Sequence, residues 1–153
     1  AANTCIPARH IVRGVSIGSG GMGEVFKATW NGSTNVAVKV VKRNRREDEA
    51  SLQSEATVLS QLRHPRLVAF LGTTFTEDGG LGIVMEYMSK GSLYTLLDLG
   101  GLKPEGHRPH NKVVAWAWAG PEATRYRIAQ EIAAGIDHLH RKEFMHRDVK
   151  TEK

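Results

Sequence analysis

The sequence has little cysteine and no long hydrophobic run. Its single cysteine, Cys5, excludes an internal disulfide and is typical of a reducing compartment. We therefore expect a cytoplasmic location, or the intracellular side of a larger membrane protein. No apolar stretch approaches the roughly 18 residues that a transmembrane helix needs. Residues 1–5 lack the basic and apolar regions of a secretory signal, so we expect no such signal in this chain.

The composition is otherwise that of an ordinary globular domain. Of the 153 residues, 41% are hydrophobic and 24% are charged, which is enough for one domain with a core. The formal net charge is +5, and basic proteins often bind nucleic acids. The sequence has no nucleic-acid-binding motif, however, so we expect no nucleic-acid partner. A solvated surface, or attraction to a polyanionic nucleotide, explains the charge more simply.

Three glycines with the spacing G-x-G-x-x-G form the most distinctive stretch: Gly18, Gly20 and Gly23. Glycine lets main-chain N–H groups approach a phosphate, but the same spacing also occurs in ordinary turns. A dinucleotide-binding turn would open a helix, whereas residues 24–30 have the composition of a strand and lead into the hairpin signal Asn31-Gly32. The phosphate loop G-x-x-x-x-G-K-[ST] is absent. What remains is a glycine flap between antiparallel strands, of the kind that protein kinases lay over phosphates.

A lysine is set into an apolar strand at residues 35–41. Because side chains alternate between the two faces of a strand, the three even-numbered valines share one face, whereas Ala37 and Lys39 share the other. An exposed lysine at the edge of a sheet is one interpretation. The other is a cation held in a cleft, beside a small residue that leaves room for a flat ligand.

A helix is predicted over residues 48–62, where leucines mark an apolar face. Glu55 points the same way, because it lies three residues after Leu52 and four before Leu59. A carboxylate on a buried stripe is costly unless a cation compensates it, and Lys39 is the candidate. Alternatively, Glu55 lies at the edge of the stripe, in water.

The other parts of the chain are assigned from their periodicity and turn residues. The remaining predicted elements are strands over residues 11–17, 24–30, 67–71 and 81–85, a turn over 77–80, and helices over 92–97 and 122–141. Residues 100–121 are interrupted by glycine and proline and contain Trp116 and Trp118. We favour a loop that packs these tryptophans on the following helix, with an exposed patch for a partner protein as the alternative. His107 and His110 have no companion ligands nearby, so we expect no metal site there.

Five motifs follow one another in the order found in eukaryotic protein kinases. They are the glycine flap, Val36-Ala37-Val38-Lys39, Glu55 in the helix, Glu86-Tyr87-Met88 and His146-Arg147-Asp148. The chain therefore resembles this family over residues 11–150, and residues 86–93 look like the tyrosine-kinase-like branch of the serine/threonine kinases. The resemblance implies an α+β fold. A small lobe with a five-stranded antiparallel sheet and one main helix would precede the first helices of a helical large lobe.

The resemblance implies an ATP site near the glycine flap. Its residues would be Gly18, Gly20, Gly23, Val25, Ala37, Lys39, Glu55, Met85, Glu86 and Met88. The three glycines would cover the phosphates, and Val25 and Ala37 would enclose the adenine. Lys39 would hold the α- and β-phosphates while it pairs with Glu55.

The resemblance also assigns roles at the hinge and in the catalytic loop. Met85 would be the gatekeeper, and backbone groups of Glu86 and Met88 would bind the adenine edge. Asp148 would be the catalytic base that accepts the proton of the substrate hydroxyl. Lys150 looks like the phosphate contact of serine/threonine kinases, and together with Lys39 it would complete the catalytic set. The implied partners are ATP, Mg²⁺ and a protein substrate.

The chain departs from the family pattern after Asp148. An asparagine that binds metal normally stands five residues later, where this sequence has Lys153, and no Asp-Phe-Gly segment follows. Residues 1–10 would be a lead-in, 11–88 the small lobe with its hinge, and 89–153 the start of an incomplete large lobe. We therefore expect a kinase fragment with little phosphotransfer of its own, whose metal ligands lie beyond this chain. A non-catalytic, pseudokinase-like module that binds a nucleotide or a partner is the alternative.

Overall fold

The computed structural model describes residues 5–20, 23–41, 46–76, 79–94 and 122–150. The chain forms two compact units, Ala1–Tyr87 and Met88–Lys153. The first unit contains a β-sheet with one packed helix, and the second contains a long helix followed by an irregular segment. The predicted loop with Trp116 and Trp118, and residues 95–97 of the predicted helix over 92–97, lie outside the described residues.

The first unit is built on an antiparallel sheet of five strands in the order β1-β2-β3-β5-β4. The strands are β1 (Ile11–Gly20), β2 (Gly23–Trp30), β3 (Thr34–Val40), β4 (Phe70–Phe75) and β5 (Leu81–Glu86). Helix α1 (Arg46–Gln61) connects β3 to β4 and packs on the sheet. The predicted small-lobe fold, with its five strands and one main helix, is confirmed.

Two tight connections fix the register of the first three strands. Gly20 pairs with Gly23 across the β1–β2 hairpin, so the glycine flap joins antiparallel strands as predicted. Asn31 and Gly32, in the next turn, have φ angles of 49° and 73°. Positive φ at two successive residues is what the Asn-Gly signal provides, because both residue types tolerate the left-handed conformation.

The predicted position of β4 is wrong by several residues. The apolar run at residues 67–71 predicted the strand, but residues 64–67 form a turn, closed by the Leu67 N–H donating to the His64 carbonyl at 3.0 Å, and residues 68–69 are irregular. The strand instead runs from Phe70 to Phe75 and includes Gly72, Thr73 and Thr74. These residues have little apolar character, and pairing with β5 places them in the sheet.

The two faces of the sheet carry separate hydrophobic clusters. The first, which we call the closed face, buries Ile6, Ala28, Val36, Val38 and Val84. The second, which we call the helix face, packs Ile83 against Leu52 and Ala56 of α1. The alternation along β3 therefore divides its side chains between the two faces, and its even-numbered valines belong to the closed face.

A short segment before β1 belongs to the core. Cys5 forms a bridge with Thr73 of β4, and the Ile6 N–H donates to the Thr73 carbonyl at 2.7 Å. Ile6 itself is 2% exposed within the closed face. A short 3₁₀ turn, Ala8–His10, then leads into β1. The expected lead-in thus contributes both a strand-edge contact and a buried side chain.

The second unit contains helix α2 (Glu122–Arg141), at the predicted bounds. Its carboxyl end is closed by Glu143, which has a φ of 62°, and by the Phe144 N–H donating to the Leu139 carbonyl at 2.9 Å. The Glu143 N–H bonds to the His140 carbonyl, and the two bonds together form a Schellman motif. Neither α1 nor α2 has the length and apolar character needed to cross a membrane, in the part of the chain that the structure describes.

Candidate functional site

An ion pair between β3 and α1 is the most distinctive polar feature of the first unit. The Lys39 Nζ lies 2.8 Å from Glu55 Oε1 and 2.5 Å from Oε2, so the carboxylate accepts from the ammonium through both oxygens. The side chains of Lys39 and Glu55 are 18% and 37% exposed, respectively. The structure therefore contains the pairing that the residue pattern predicted, in a partly buried setting.

The surroundings of the pair define what it can do chemically. The Lys39 ammonium has three N–H donors, and its contacts with the two Glu55 oxygens use at most two of them, so capacity remains for a further acceptor. The carboxylate fixes the position of the cation, and the neighbouring apolar residues reduce its screening by water. A cation that is both fixed and partly exposed is suited to bind an anionic ligand such as a phosphate.

Cross-strand pairing places other predicted site residues on the face that carries Lys39. Val25 of β2 is directly opposite Lys39, and Ala37, two residues before Lys39, is opposite Met85 of β5. Directly paired residues point to the same side of a sheet, so these four side chains share one surface. The structure thus brings together an apolar wall and a fixed cation.

The three glycines of the flap differ in what the fold requires of them. A Cβ at Gly23, where φ is 132°, would lie 2.1 Å from the Val40 carbonyl oxygen, so packing demands glycine there. A Cβ at Gly18 would meet only the Val25 Cβ, at 3.9 Å, and one at Gly20 would meet nothing within 4 Å in the part of the chain that the structure describes. Packing therefore does not explain Gly18 and Gly20, whose bare backbone borders open space.

The backbone at the end of β5 is already partly engaged. The Glu86 N–H donates to the Ala69 carbonyl at 3.0 Å, while Glu86 Oε1 accepts from the Ala69 N–H at 2.7 Å. The Glu86 N–H is therefore used within the first unit. Of the two backbone groups of Glu86, the carbonyl is therefore the one that we keep as a predicted contact of an adenine edge, beside the predicted contact of Met88.

Met88 belongs to the second unit, where its side chain is 54% exposed. Its carbonyl accepts from the Gly91 N–H at 3.0 Å, which closes a turn after the predicted hinge. The role of Met88 at an adenine edge stays a prediction.

The predicted catalytic segment also lies in the second unit. The Asp148 N–H donates to His146 Nδ1 at 3.3 Å, and Lys150 Nζ lies 3.4 Å from Asp148 Oδ1. Arg147, between them, has a φ of 58°, which is unusual for a residue with a side chain. The side chains of Asp148 and Lys150 are about half exposed, at 46% and 48%. The structure thus places the predicted base and the predicted phosphate contact side by side.

Sequence reasoning missed a second lysine on the same face as Lys39. Lys27 is directly opposite Ala37, and its Nζ lies 4.9 Å from the centre of the Tyr87 ring. Alternation along β2 carried a usable signal, because Lys27 is two residues after Val25 and therefore shares its face. No cluster of three or more His, Cys, Asp or Glu side chains suited to a metal occurs among the residues that the structure describes.

Comparison with known proteins assigns the chain to a family. The model of the protein tyrosine and serine/threonine kinase family matches residues 11–153. The chain belongs to the protein kinase family. This chain is 39% identical over 137 residues to the putative serine/threonine-protein kinase/receptor R818 of Acanthamoeba polyphaga mimivirus, a match that covers 89% of this chain. It is also similar to two Arabidopsis thaliana proteins: the probable serine/threonine-protein kinase SIS8 (36% identity, 93% of this chain) and the serine/threonine-protein kinase CTR1 (34%, 88%).

This chain spans only a small share of the length of these relatives. The matched regions cover 7% of R818, 12% of SIS8 and 15% of CTR1. The similarity therefore concerns a kinase segment, and the relatives have further regions with no counterpart here. The similarity to CTR1 agrees with the tyrosine-kinase-like branch indicated by the sequence.

Proposed function

We propose that the chain is part of a serine/threonine protein kinase that transfers the γ-phosphate of ATP to serine or threonine hydroxyls of proteins. The observation that carries this proposal is the ion pair of Lys39 with Glu55, on a face that also bears Val25 and Ala37. Phosphoryl transfer depends mainly on positioning the reactants and neutralising their charge, and a fixed cation beside an apolar wall supplies part of both.

The nucleotide would be held by its two chemically different ends. Val25, Ala37 and Met85 offer apolar contacts to the adenine, and the Glu86 carbonyl offers an acceptor. Lys39 offers its remaining N–H capacity to the α- and β-phosphates. The open space beside Gly18 and Gly20 supports the approach of main-chain N–H groups to the phosphates, because side chains there would fill that space.

Asp148 and Lys150 would act on the transfer itself. In the proposed step the substrate hydroxyl oxygen bonds to the γ-phosphorus while the bond from this phosphorus to the β,γ-bridging oxygen breaks. The hydroxyl proton goes to the Asp148 carboxylate, and ADP is the leaving group. The 3.4 Å contact of Lys150 with Asp148 supports a cation near this carboxylate, where it could neutralise charge on the transferred group.

Mg²⁺ would accompany ATP as the neutralising metal of the reaction. Among the residues that the structure describes, Lys39 is the cation that we propose for the phosphates, and no cluster of three or more His, Cys, Asp or Glu side chains suited to a metal occurs. The family pattern provides the ligands of this metal after the catalytic aspartate, and on that ground we assign none to the residues that the structure describes. A cytoplasmic location belongs to the same proposal, because ATP and a protein substrate are available there.

Binding of MgATP, measured by titration calorimetry, tests the nucleotide site. We expect the 153-residue chain to bind MgATP and Lys39→Ala to bind it about tenfold or more weakly, since a hydrogen bond to a charged group is lost. Lys142→Ala, which removes an exposed lysine from the second unit, is the charge-matched control and should bind like the wild type. A folded wild-type sample that binds no MgATP would contradict the proposal.

A non-catalytic nucleotide-binding module is the second candidate, and Lys153 is the observation that favours it. A lysine cannot ligate Mg²⁺ and would repel it, yet Lys153 stands where the family has its metal-binding asparagine. The two candidates separate in a longer version of the kinase that contains an Asp-Phe-Gly segment. Activity that appears only after Lys153→Asn would favour the non-catalytic form of this sequence, whereas activity without the change would exclude it.

A further inference from the structure

Lys27 and Tyr87 form a contact that spans three strands of the sheet, beside the apolar residues proposed to contact the adenine (Val25, Ala37 and Met85). Lys27 lies in β2 and Tyr87 directly follows β5, with β3 between these two strands. The Lys27 ammonium nevertheless lies 4.9 Å from the centre of the Tyr87 ring, within the range of a cation–π interaction. Both side chains are half-buried. A surface lysine with no role would more often extend into water.

A small residue, Ala37, lies on β3 between the two strands that this contact spans. Ala37 is the β3 residue directly between Lys27 and Met85, and it is 8% exposed. Because directly paired residues share a face, a larger side chain at this point would project on the same side of the sheet as Lys27. The contact therefore joins β2 to the chain after β5 at the level of the residue that is proposed to face the adenine.

Lys27 and Lys39 are directed to different partners, although they share one face of the sheet. Lys39 turns to the Glu55 carboxylate on α1, whereas Lys27 turns to an aromatic ring at the end of β5. The first arrangement positions a cation for an anion. The second uses the cation as a structural link, because its charge already lies over the ring.

We propose that Lys27 is a positioning residue that holds the main chain at Glu86 and Tyr87 against the sheet through its contact with the Tyr87 ring. This inference rests on the proposed function, because the Glu86 carbonyl is the group assigned to the adenine edge. The link sets the affinity of the site for the adenosine part of the nucleotide. It does not act on the phosphates.

Paired variants of the 153-residue chain test the link. Lys27→Met keeps the aliphatic stem without the charge, and Tyr87→Leu keeps apolar bulk without the ring. Each substitution should lower the affinities for adenosine and for MgATP equally, by about three- to tenfold. The double variant should bind both ligands no more weakly than either single variant does. Lys27→Arg and Tyr87→Phe keep the cation and the ring and should stay within about twofold of the wild type.

Hydrogen exchange gives a readout that does not depend on nucleotide. Amides in a peptide covering residues 82–88 should exchange several-fold faster in Lys27→Met and Tyr87→Leu, and at the wild-type rate in the two conservative variants. Unchanged exchange in Lys27→Met would overturn the link, whether or not the chain binds nucleotide. Weaker binding of MgATP with unchanged binding of adenosine would also overturn the proposal, because Lys27 would then act on the phosphates. Failure of the wild type to bind either ligand would instead overturn the proposed function, together with the proposed effect of Lys27 on affinity. The hydrogen-exchange rates would still show whether the contact between Lys27 and Tyr87 holds the main chain.

Discussion

The two faces of the sheet use the same strands for different purposes. The closed face is apolar and is completed by Ile6, which comes from a segment before the first strand. The helix face combines an apolar cluster under α1 with three charged residues. Lys39 pairs with Glu55, and Lys27 contacts the Tyr87 ring. In β3 the division is made residue by residue, since Val38 is buried on one side and Lys39 meets Glu55 on the other.

This difference separates the residues that stabilise the fold from those that we propose bind a ligand. Burial of apolar side chains provides most of the free energy of folding, and the closed face contributes to it without any ion pair among the residues described. A partly buried ion pair adds little net stability, because removing its charges from water offsets their attraction. The presence of Lys39 and Glu55 on the helix face is therefore better explained by function than by stability.

Gly23→Ala should have the largest effect on stability, because it disrupts the pairing of strands on which both faces depend. The new Cβ would lie 2.1 Å from the Val40 carbonyl oxygen, at a φ of 132° that alanine rarely adopts. We expect a loss of about 4 kcal/mol or more in the free energy of unfolding, measured by urea denaturation. Gly20→Ala is the matched control and should cost less than about 1 kcal/mol. Equal effects of the two substitutions would contradict this account.

Ile6→Ala should come next, because it acts on the closed face alone. Truncating a fully buried isoleucine loses apolar burial and leaves a cavity, which costs about 3 kcal/mol in the free energy of unfolding. Val12→Ala, on a side chain that is 65% exposed, should stay within about 0.5 kcal/mol. Thermal unfolding followed by circular dichroism is sufficient to compare them. A negligible effect of Ile6→Ala would mean that the closed face does not depend on this segment.

The ion pair should behave differently from these core residues. Lys39→Met should lower the free energy of unfolding by about 1 kcal/mol, because the Glu55 carboxylate loses its partner in a partly buried place. Adding Glu55→Leu should restore or exceed the wild-type stability, although MgATP binding stays weakened. If the double variant is less stable than Lys39→Met alone, the pair is a stabilising element, and the contrast between the faces is smaller than we describe.

Thr74→Val should have the smallest effect, and it should be favourable. The hydroxyl of Thr74 is buried, and it has no hydrogen-bond partner among the residues that the structure describes. Valine has the same shape without the polar group, so we expect a gain of about 0.5–1 kcal/mol in the free energy of unfolding. A loss of stability on this substitution, in the same urea experiment, would show that the hydroxyl has a partner.

Local sequence patterns predicted the parts of the fold that local physics determines. The alternation in β3 identified the face of Lys39, and the spacing of Leu52, Glu55 and Leu59 identified the side of α1 that meets it. The resemblance to kinases then predicted how these elements combine, as a five-stranded sheet with one main helix followed by the first helices of a second lobe. The residues assigned to the site from that resemblance fall in two units, and their roles in catalysis remain predictions.

The features that sequence reasoning missed depend on contacts between distant residues. The true bounds of β4 follow from pairing with β5, because Gly72 and Thr74 have no apolar pattern that would mark a strand. Ile6 enters the core through contacts with β4, far along the chain, which no periodicity in a short segment can indicate. The link of Lys27 to Tyr87 similarly depends on which strands are neighbours in the sheet.

The most direct test of the central claim compares the affinities of MgATP and adenosine in the wild type and in Lys39→Ala. If the Lys39 cation binds the phosphates, Lys39→Ala should lower the affinity for MgATP by about tenfold or more and leave the affinity for adenosine within about twofold of the wild type. Calorimetry on the same folded samples gives both affinities. An equal loss for the two ligands, or no loss for either, would contradict the claim that Lys39 is positioned by Glu55 to hold the phosphates.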